Sequence, residues 1–598
     1  MFNRIAAYFS SPFTSLIFIG MMFLLPLTLP IHGLPLPDFY SEWIAAVMGL
    51  MSFLVFLSLD YWQHIRVSRF SLIYIGLAII IVAQWLAGML YSMQMSLLIL
   101  SYLLFAFMLC NLAVYLKQNL GLERMALFLA KFLVIGGFAN AIFVVTQLAF
   151  NAGITIPYMT KWPTYGIIAQ NNHFANYMAM ATASLIYLYA KNQFSNHKFW
   201  LGLLAFLTTI AFSGSRSTWL YLISFACIAF IFTQNAKKNH TDENQWQQIL
   251  KISLVAIPLF ALIQAALFYS IPDLIKLPTE RLLSNSGNQS NSIRWAIWQQ
   301  SWQLFLQHPW LGVGAGNIRW QSFLALNSPT LSSTGLVFEH AHNLFIQQMA
   351  ELGIIAPILT AIALWKWIRN WWAKLNFNLE SGWLISLLAI IGIHSLLEYP
   401  LWYAYFLGIT AFLFGLGEQN YTQFKIGARP SLLRPLVLIL LLAGCINLTS
   451  MLVANIKIER WMFPSINNSL TREQQTQFTS DYYWVKNFSL MQPYAEFIFA
   501  NAIEPSKDNI DKKLTIIESS LHNTTSFALV EKYAALLAAK GDYRQSAKIM
   551  KLAILMEPTL KEEILVIVPT YADEGHRQEL LNLISAELND DKLNYHKN

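Results

Sequence analysis

The chain has 598 residues, of which 56% are hydrophobic and only 12% charged, and its mean hydropathy is +0.45. These proportions exclude a soluble globular protein; runs of about 20 apolar residues along most of the length describe a polytopic membrane protein. The formal net charge of +7 calls for no nucleic-acid partner, because basic loops gathered on one side of a bilayer produce it.

In chain order, apolar segments fall near 13–31, 43–59, 70–92, 96–116, 125–150, 174–190, 199–213, 217–233, 251–271, 343–365, 382–397, 399–417 and 433–453. The fold class expected is an all-α polytopic membrane protein with about 13 transmembrane helices. Arg4 precedes the first apolar run and no small-x-small cleavage site follows it, so this run reads as an uncleaved span. Cys110, Cys227 and Cys445 all lie inside apolar runs and read as buried small hydrophobes rather than as a disulfide or zinc framework.

Alternate loops carry the basic residues: Arg66 and Arg69, Lys117 and Arg124, Lys191 and Lys198, Lys237 and Lys238, then Lys366, Arg369 and Lys374, and finally Lys425, Arg429 and Arg434. Excess Lys and Arg marks the cytoplasmic side, which puts the N-terminus inside and everything after residue 453 outside. The expected organisation is a transmembrane domain over 1–453, with a long outer loop at 272–342, followed by a soluble domain over 454–598. In that tail apolar residues recur at helical spacing. The stretch SFALVEKYAALLAAKGDYRQSAKIMKLAILMEP, with Ala534, Ala535, Gly541, Ala547, Ala553 and Pro558, has the pattern of one tetratricopeptide-like helical hairpin.

With sides assigned, the unusual polar clusters all fall on the outer face, although none of them entered the assignment. They are QNNHFANY (Gln170, Asn172, His173), SGSRS (Ser215, Arg216), SIRW (Arg294), HPWLGVGAGN from His308, FEHAHN (Glu339, His340, His342, Asn343) and HSLLEYPLWY (His394, Glu398). Ionisable groups at membrane depth are costly unless they face a cavity, so this convergence suggests a site. Bland readings stand beside the sharp ones. Arg216 suits either a snorkelling anchor or a bidentate phosphate ligand. Arg294 fits a solvated loop residue, and His173 and His394 fit interfacial or helix-end histidines. GVGAGN follows no strand, so it reads as a flexible loop rather than a phosphate cradle. His340 and His342 are two apart, which suits opposite sides of an extended segment. A metal held by them and Glu339 lacks evident further ligands. An imidazole with a reference pKa of about 6.5 is better suited to general-base work.

QNNHFANY, SGSRS, HPWLGVGAGN, EHAHNLFIQ and HSLLEYPLWYAYF, in that order, resemble the O-antigen ligase and polymerase superfamily of bacterial inner-membrane enzymes. EYPLWYAYF and the helical tail resemble its protein O-oligosaccharyltransferase branch, which glycosylates type IV pilin and other periplasmic proteins. The resemblance implies a GT-C-like membrane glycosyltransferase and a periplasmic tail. It also implies an undecaprenyl-diphosphate-linked donor in the membrane lipid, transfer of the glycan en bloc to a Ser or Thr hydroxyl, and no metal or other cofactor.

On this reading Arg216 and Arg294 take the departing diphosphate and His342, with His340 second, is the base. Glu339 orients a histidine and Asn343 fixes the loop end, while Gln170, Asn172, His173, Ser215, His394 and Glu398 support the site. Two alternatives remain: an O-antigen ligase or polymerase with a glycolipid acceptor, and, from a different class, a transporter whose polar clusters line a path.

Overall fold

The structure, a computed structural model, describes residues 10–63, 65–151, 153–154, 166–168, 170–239, 242–270, 277–283, 285–327, 336–374, 377–424, 430–467 and 469–595. Lys425 and Arg429, used above to assign sides, and Arg4, ahead of the first apolar run, lie outside the described residues. The chain divides into two compact units: Met1–Gly76, Tyr102–Asn291 and Leu359–Leu448 make the first, and Leu77–Ser101, Ser292–Ile358 and Thr449–Asn598 the second.

The protein is all-α apart from one two-stranded ribbon among the described residues. Seven described helices are long and apolar enough to cross a membrane: Phe39–Leu57, Met93–Leu120, Leu122–Asn151, Ser217–Lys238, Glu243–Ser270, Leu379–Leu397 and Leu433–Ile466. Pro12–Leu27, Leu72–Leu86 and Ala404–Gly417 are shorter apolar helices.

Helix Asn171–Ala190 lies at the centre of the first unit, buried over nearly its whole surface. Its sequence explains this, because Ala175, Ala179, Ala181 and Ala183 let neighbours approach on several sides. The partner helix Leu122–Asn151 supplies glycines at the contact. A Cβ on Gly136 would lie 1.8 Å from the Tyr177 hydroxyl, and one on Gly137 would lie 2.8 Å from Ala181 Cβ. Lipid is as apolar as leucine, so close packing and interhelical hydrogen bonds hold such helices together, and small residues permit both.

One end of this unit collects basic loops. Strands Ile65–Ser68 and Tyr421–Phe424 pair antiparallel, with Arg66 opposite Gln423. Buried Glu418 accepts from the Ser68 hydroxyl at 2.7 Å, and its carbonyl accepts from Lys117 at 2.6 Å. Lys191 bridges Glu123 and Glu380, each at 2.6 Å, and Lys374 donates to Asn420 at 2.7 Å.

In the second unit, helices Phe527–Lys540 and Tyr543–Met556 form the hairpin read from the tail. Gly541 turns the chain at φ +89°, the Asp542 side chain caps the second helix, and the Ser546 hydroxyl donates to Ala534 O at 2.8 Å. The hydrophobic core around this hairpin also takes in Trp320, Phe323 and Leu326 from far upstream.

Three expectations need correction. The segment 343–365 is not one continuous helix: Leu344–Leu352 ends at Gly353, whose φ of +72° no continuing helix can hold, and Ile355–Ala373 starts afresh. The described part of 272–342 is largely helical, with Pro278–Leu283, Asn285–Gln307 and Ile318–Ala325. Of the cysteines, only Cys110 is buried; Cys227 and Cys445 are exposed, on the outward faces of membrane-capable helices.

Candidate functional site

The predicted residues form two clusters, one in each unit. In the first unit, Gln170 caps helix Asn171–Ala190 by accepting from the N–H of His173 at 2.5 Å. This capping fixes Asn172, which joins three motifs. Its amide donates to Glu398 at 2.8 Å and its carbonyl oxygen accepts from the Ser215 hydroxyl at 2.7 Å. The Ser215 and Ser217 hydroxyls lie 2.8 Å apart. Gly214, at φ +61°, makes the turn that brings these serines there, and Arg216 sits half-buried between them at the start of the next helix. Glu398 ends helix Leu379–Leu397 with an extended backbone, and its own N–H donates to His394 O at 2.7 Å.

His173 lies in the first turn of helix Asn171–Ala190 and His394 in the last turn of helix Leu379–Leu397, as helix-end histidines. Both are buried, with ring centroids 5.4 Å apart. His173 Nδ1 lies 3.2 Å from the Tyr405 hydroxyl, which in turn donates to Asp38 at 3.3 Å. Sequence reading missed Asp38, whose only signal was an acid directly ahead of an apolar run. A buried polar chain of this kind is stable only because its members satisfy one another.

In the second unit, the FEHAHN segment is tied down on several sides. Asn343 caps helix Leu344–Leu352, accepting from the N–H groups of Phe345 and Ile346 at 3.1 and 3.2 Å. To enter that cap the chain turns at His342, whose φ of +51° departs from the extended conformation expected of it. The Trp298 indole N–H donates to Ala341 O at 2.8 Å. Buried Gln347 accepts from Ala341 N–H at 2.6 Å and donates to Glu339 O at 3.4 Å. Arg294 lies one turn before Trp298 on helix Asn285–Gln307.

Glu339 pairs with Arg319 at 3.1 Å, an arginine absent from the expected set. Its signal was a second IRW triplet, at 318–320, echoing the one around Arg294. Burial, with the influence of His342 and Arg319 added, pushes the His340 imidazole down to about 3.

The glycine loop is no flexible tether. Val313 and Gly314 donate to Ala350 O and Glu351 O at 2.8 and 3.1 Å, and Ile354 donates to Pro309 O at 2.9 Å. A Cβ on Gly312 would lie 2.3 Å from the Glu351 backbone, and one on Gly353 would lie 2.1 Å from Trp310 O. These glycines therefore serve close backbone packing on helix Leu344–Leu352. The buried Glu351 carboxylate accepts from Gly316 N–H at 3.1 Å.

Histidines beside an Arg319–Glu339 pair, just ahead of a short capped helix, form an arrangement in which an imidazole can accept a proton and a guanidinium can steady an anionic leaving group. Comparison with known proteins finds similar chains. The family model described as O-antigen ligase matches residues 201–361, and that described as virulence factor membrane-bound polymerase, C-terminal, matches 382–568. A general O-oligosaccharyltransferase of Acinetobacter baylyi is 23% identical over 534 residues, covering 85% of this chain and 88% of the relative. A ComP-specific O-oligosaccharyltransferase of the same species is 26% identical over 420 residues, covering 67% and 70%. These matches support a bacterial protein O-oligosaccharyltransferase of the O-antigen ligase superfamily.

Proposed function

We propose that this chain transfers an oligosaccharide en bloc from an undecaprenyl-diphosphate carrier to Ser or Thr hydroxyls of exported proteins of the type IV pilin kind. The observation that carries the reading is the pinned FEHAHN segment, which presents His342 at a capped helix start with Arg319 beside the preceding turn. The acceptor oxygen bonds to the anomeric carbon while the bond from that carbon to the diphosphate oxygen breaks. The hydroxyl proton goes to His342, and the carrier diphosphate leaves with the electron pair. His342 is preferred over His340 because an imidazole pushed down to about 3 is a poor acceptor at neutral pH.

Arg216 and Arg294 are proposed diphosphate ligands on the strength of their motif positions, since a planar guanidinium forks onto phosphate oxygens as lysine does not. The protein sits in the inner membrane with its N-terminus cytoplasmic and residues 454–598 periplasmic, a reading supported by the alternation of basic loops. Transfer needs no metal. Incubating purified protein with the lipid-linked donor and a pilin-like acceptor in excess EDTA should add one intact glycan mass to the acceptor. Glycan appearing only on a lipid acceptor would favour the ligase or polymerase reading instead.

A further inference from the structure

We infer that Gln347 is a positioning residue for the proposed base, a clamp whose side chain holds the backbone on both sides of His340 and so sets where His342 points. This rests on the assignment of His342 as base, and the experiment below separates the two.

Gln347 lies on the first turn of helix Leu344–Leu352 and is 2% exposed. A buried glutamine is costly unless both ends of its amide find partners. Here they do. The Oε1 atom accepts from Ala341 N–H at 2.6 Å, and Nε2 donates to Glu339 O at 3.4 Å. Glu351 lies one turn further along the same helix. It accepts from Gly316 N–H at 3.1 Å, which ties this helix to the packed glycine loop.

Ala341 is thereby fixed through both of its backbone groups, its N–H by Gln347 and its C=O by the Trp298 indole. The next residue, His342, has the left-handed φ of +51°. A non-glycine residue is strained there and stays only where its surroundings over-determine the backbone. The Gln347–Trp298 grip before it and the Asn343 cap after it do so. Releasing Ala341 N–H would let His342 relax to an ordinary φ, swinging the imidazole away from its working direction. Misplacement of a catalytic group by about 1 Å costs roughly 10²-fold in rate.

The test compares Gln347→Leu, Gln347→Glu and His342→Ala in purified full-length protein, with melting temperature, donor KM and kcat measured for each. Q347L should lower kcat roughly 10²-fold with donor KM unchanged. Q347E keeps the acceptor for Ala341 N–H but loses the donor to Glu339 O at neutral pH, so its kcat should fall less than that of Q347L. A kcat for folded Q347L equal to wild type, with H342A inactive, overturns the clamp and leaves the base assignment standing. Full activity in H342A removes the base assignment and the clamp's catalytic role with it. A lower melting temperature in Q347L with unchanged kcat reduces Gln347 to a structural residue.

Discussion

Burial of the His340 ring, with His342 and Arg319 adding to it, holds that imidazole uncharged down to about 3, and the same change that keeps it neutral makes it a weak proton acceptor. His342→Ala should therefore cut glycan transfer by about 10²–10⁴-fold with donor binding kept, while His340→Ala costs less. Steady-state transfer and a separate donor-binding measurement check this, and equal losses in both variants would return the base assignment to an open choice. Replacing Arg294 by Lys keeps the charge and loses the fork, so transfer should fall at unchanged protein level. The polar residues of both clusters were legible in the sequence because acids, amides and histidines stand out against apolar runs. Arg319, Trp298 and Gln347 were not. Each is recruited by a backbone or charge partner, and for Arg319 and Trp298 that partner lies 20 to 43 positions away, a relation no local spacing records.

Helices were well marked by their apolar runs, but their interruptions were not. The break after Leu352 follows from Gly353 packing under Trp310 O, a tertiary contact that hydrophobic periodicity does not register. Helix Ile510–Asn523 shows another such dependence. Its His522 stacks on Tyr91 with centroids 3.3 Å apart and lies 3.0 Å from Asn317 Oδ1. Burial pushes this imidazole from 6.5 down to about 4. The unfolded chain then binds a proton that the folded one refuses. The resulting stability is complete above about 6.5, is lost as the pH falls toward 4, and has the same sign at His340. Thermal unfolding followed from pH 7.5 to 4.5 should show a falling melting temperature, with a shallower slope in His522→Gln. Parallel slopes would assign the acid sensitivity to other groups.

Across the whole molecule, the loops at Arg66, Lys117, Lys191 and Lys374 meet at one end of the first unit. A reporter fused after residue 460 should behave as periplasmic and one fused at Lys238 as cytoplasmic, and the reverse pattern would place the histidines on the wrong side for a lipid-linked donor. What composition did not reveal is that residues 77–101 and 292–358 fold with the tail rather than with the spans around them. The tail's change in composition near 454 is visible, but its upstream partners are apolar and aromatic residues like any others. The shared core of Trp320, Phe323 and Leu326 with the tail helices bears on how such proteins exchange parts. A recombination event that replaces only the chain beyond residue 449 splits that core between two parents, leaving three large side chains against a surface shaped for others. The heritable module is therefore discontinuous, and lineages that trade tails must carry the matching stretch of 292–358 along or rebuild the packing afterwards.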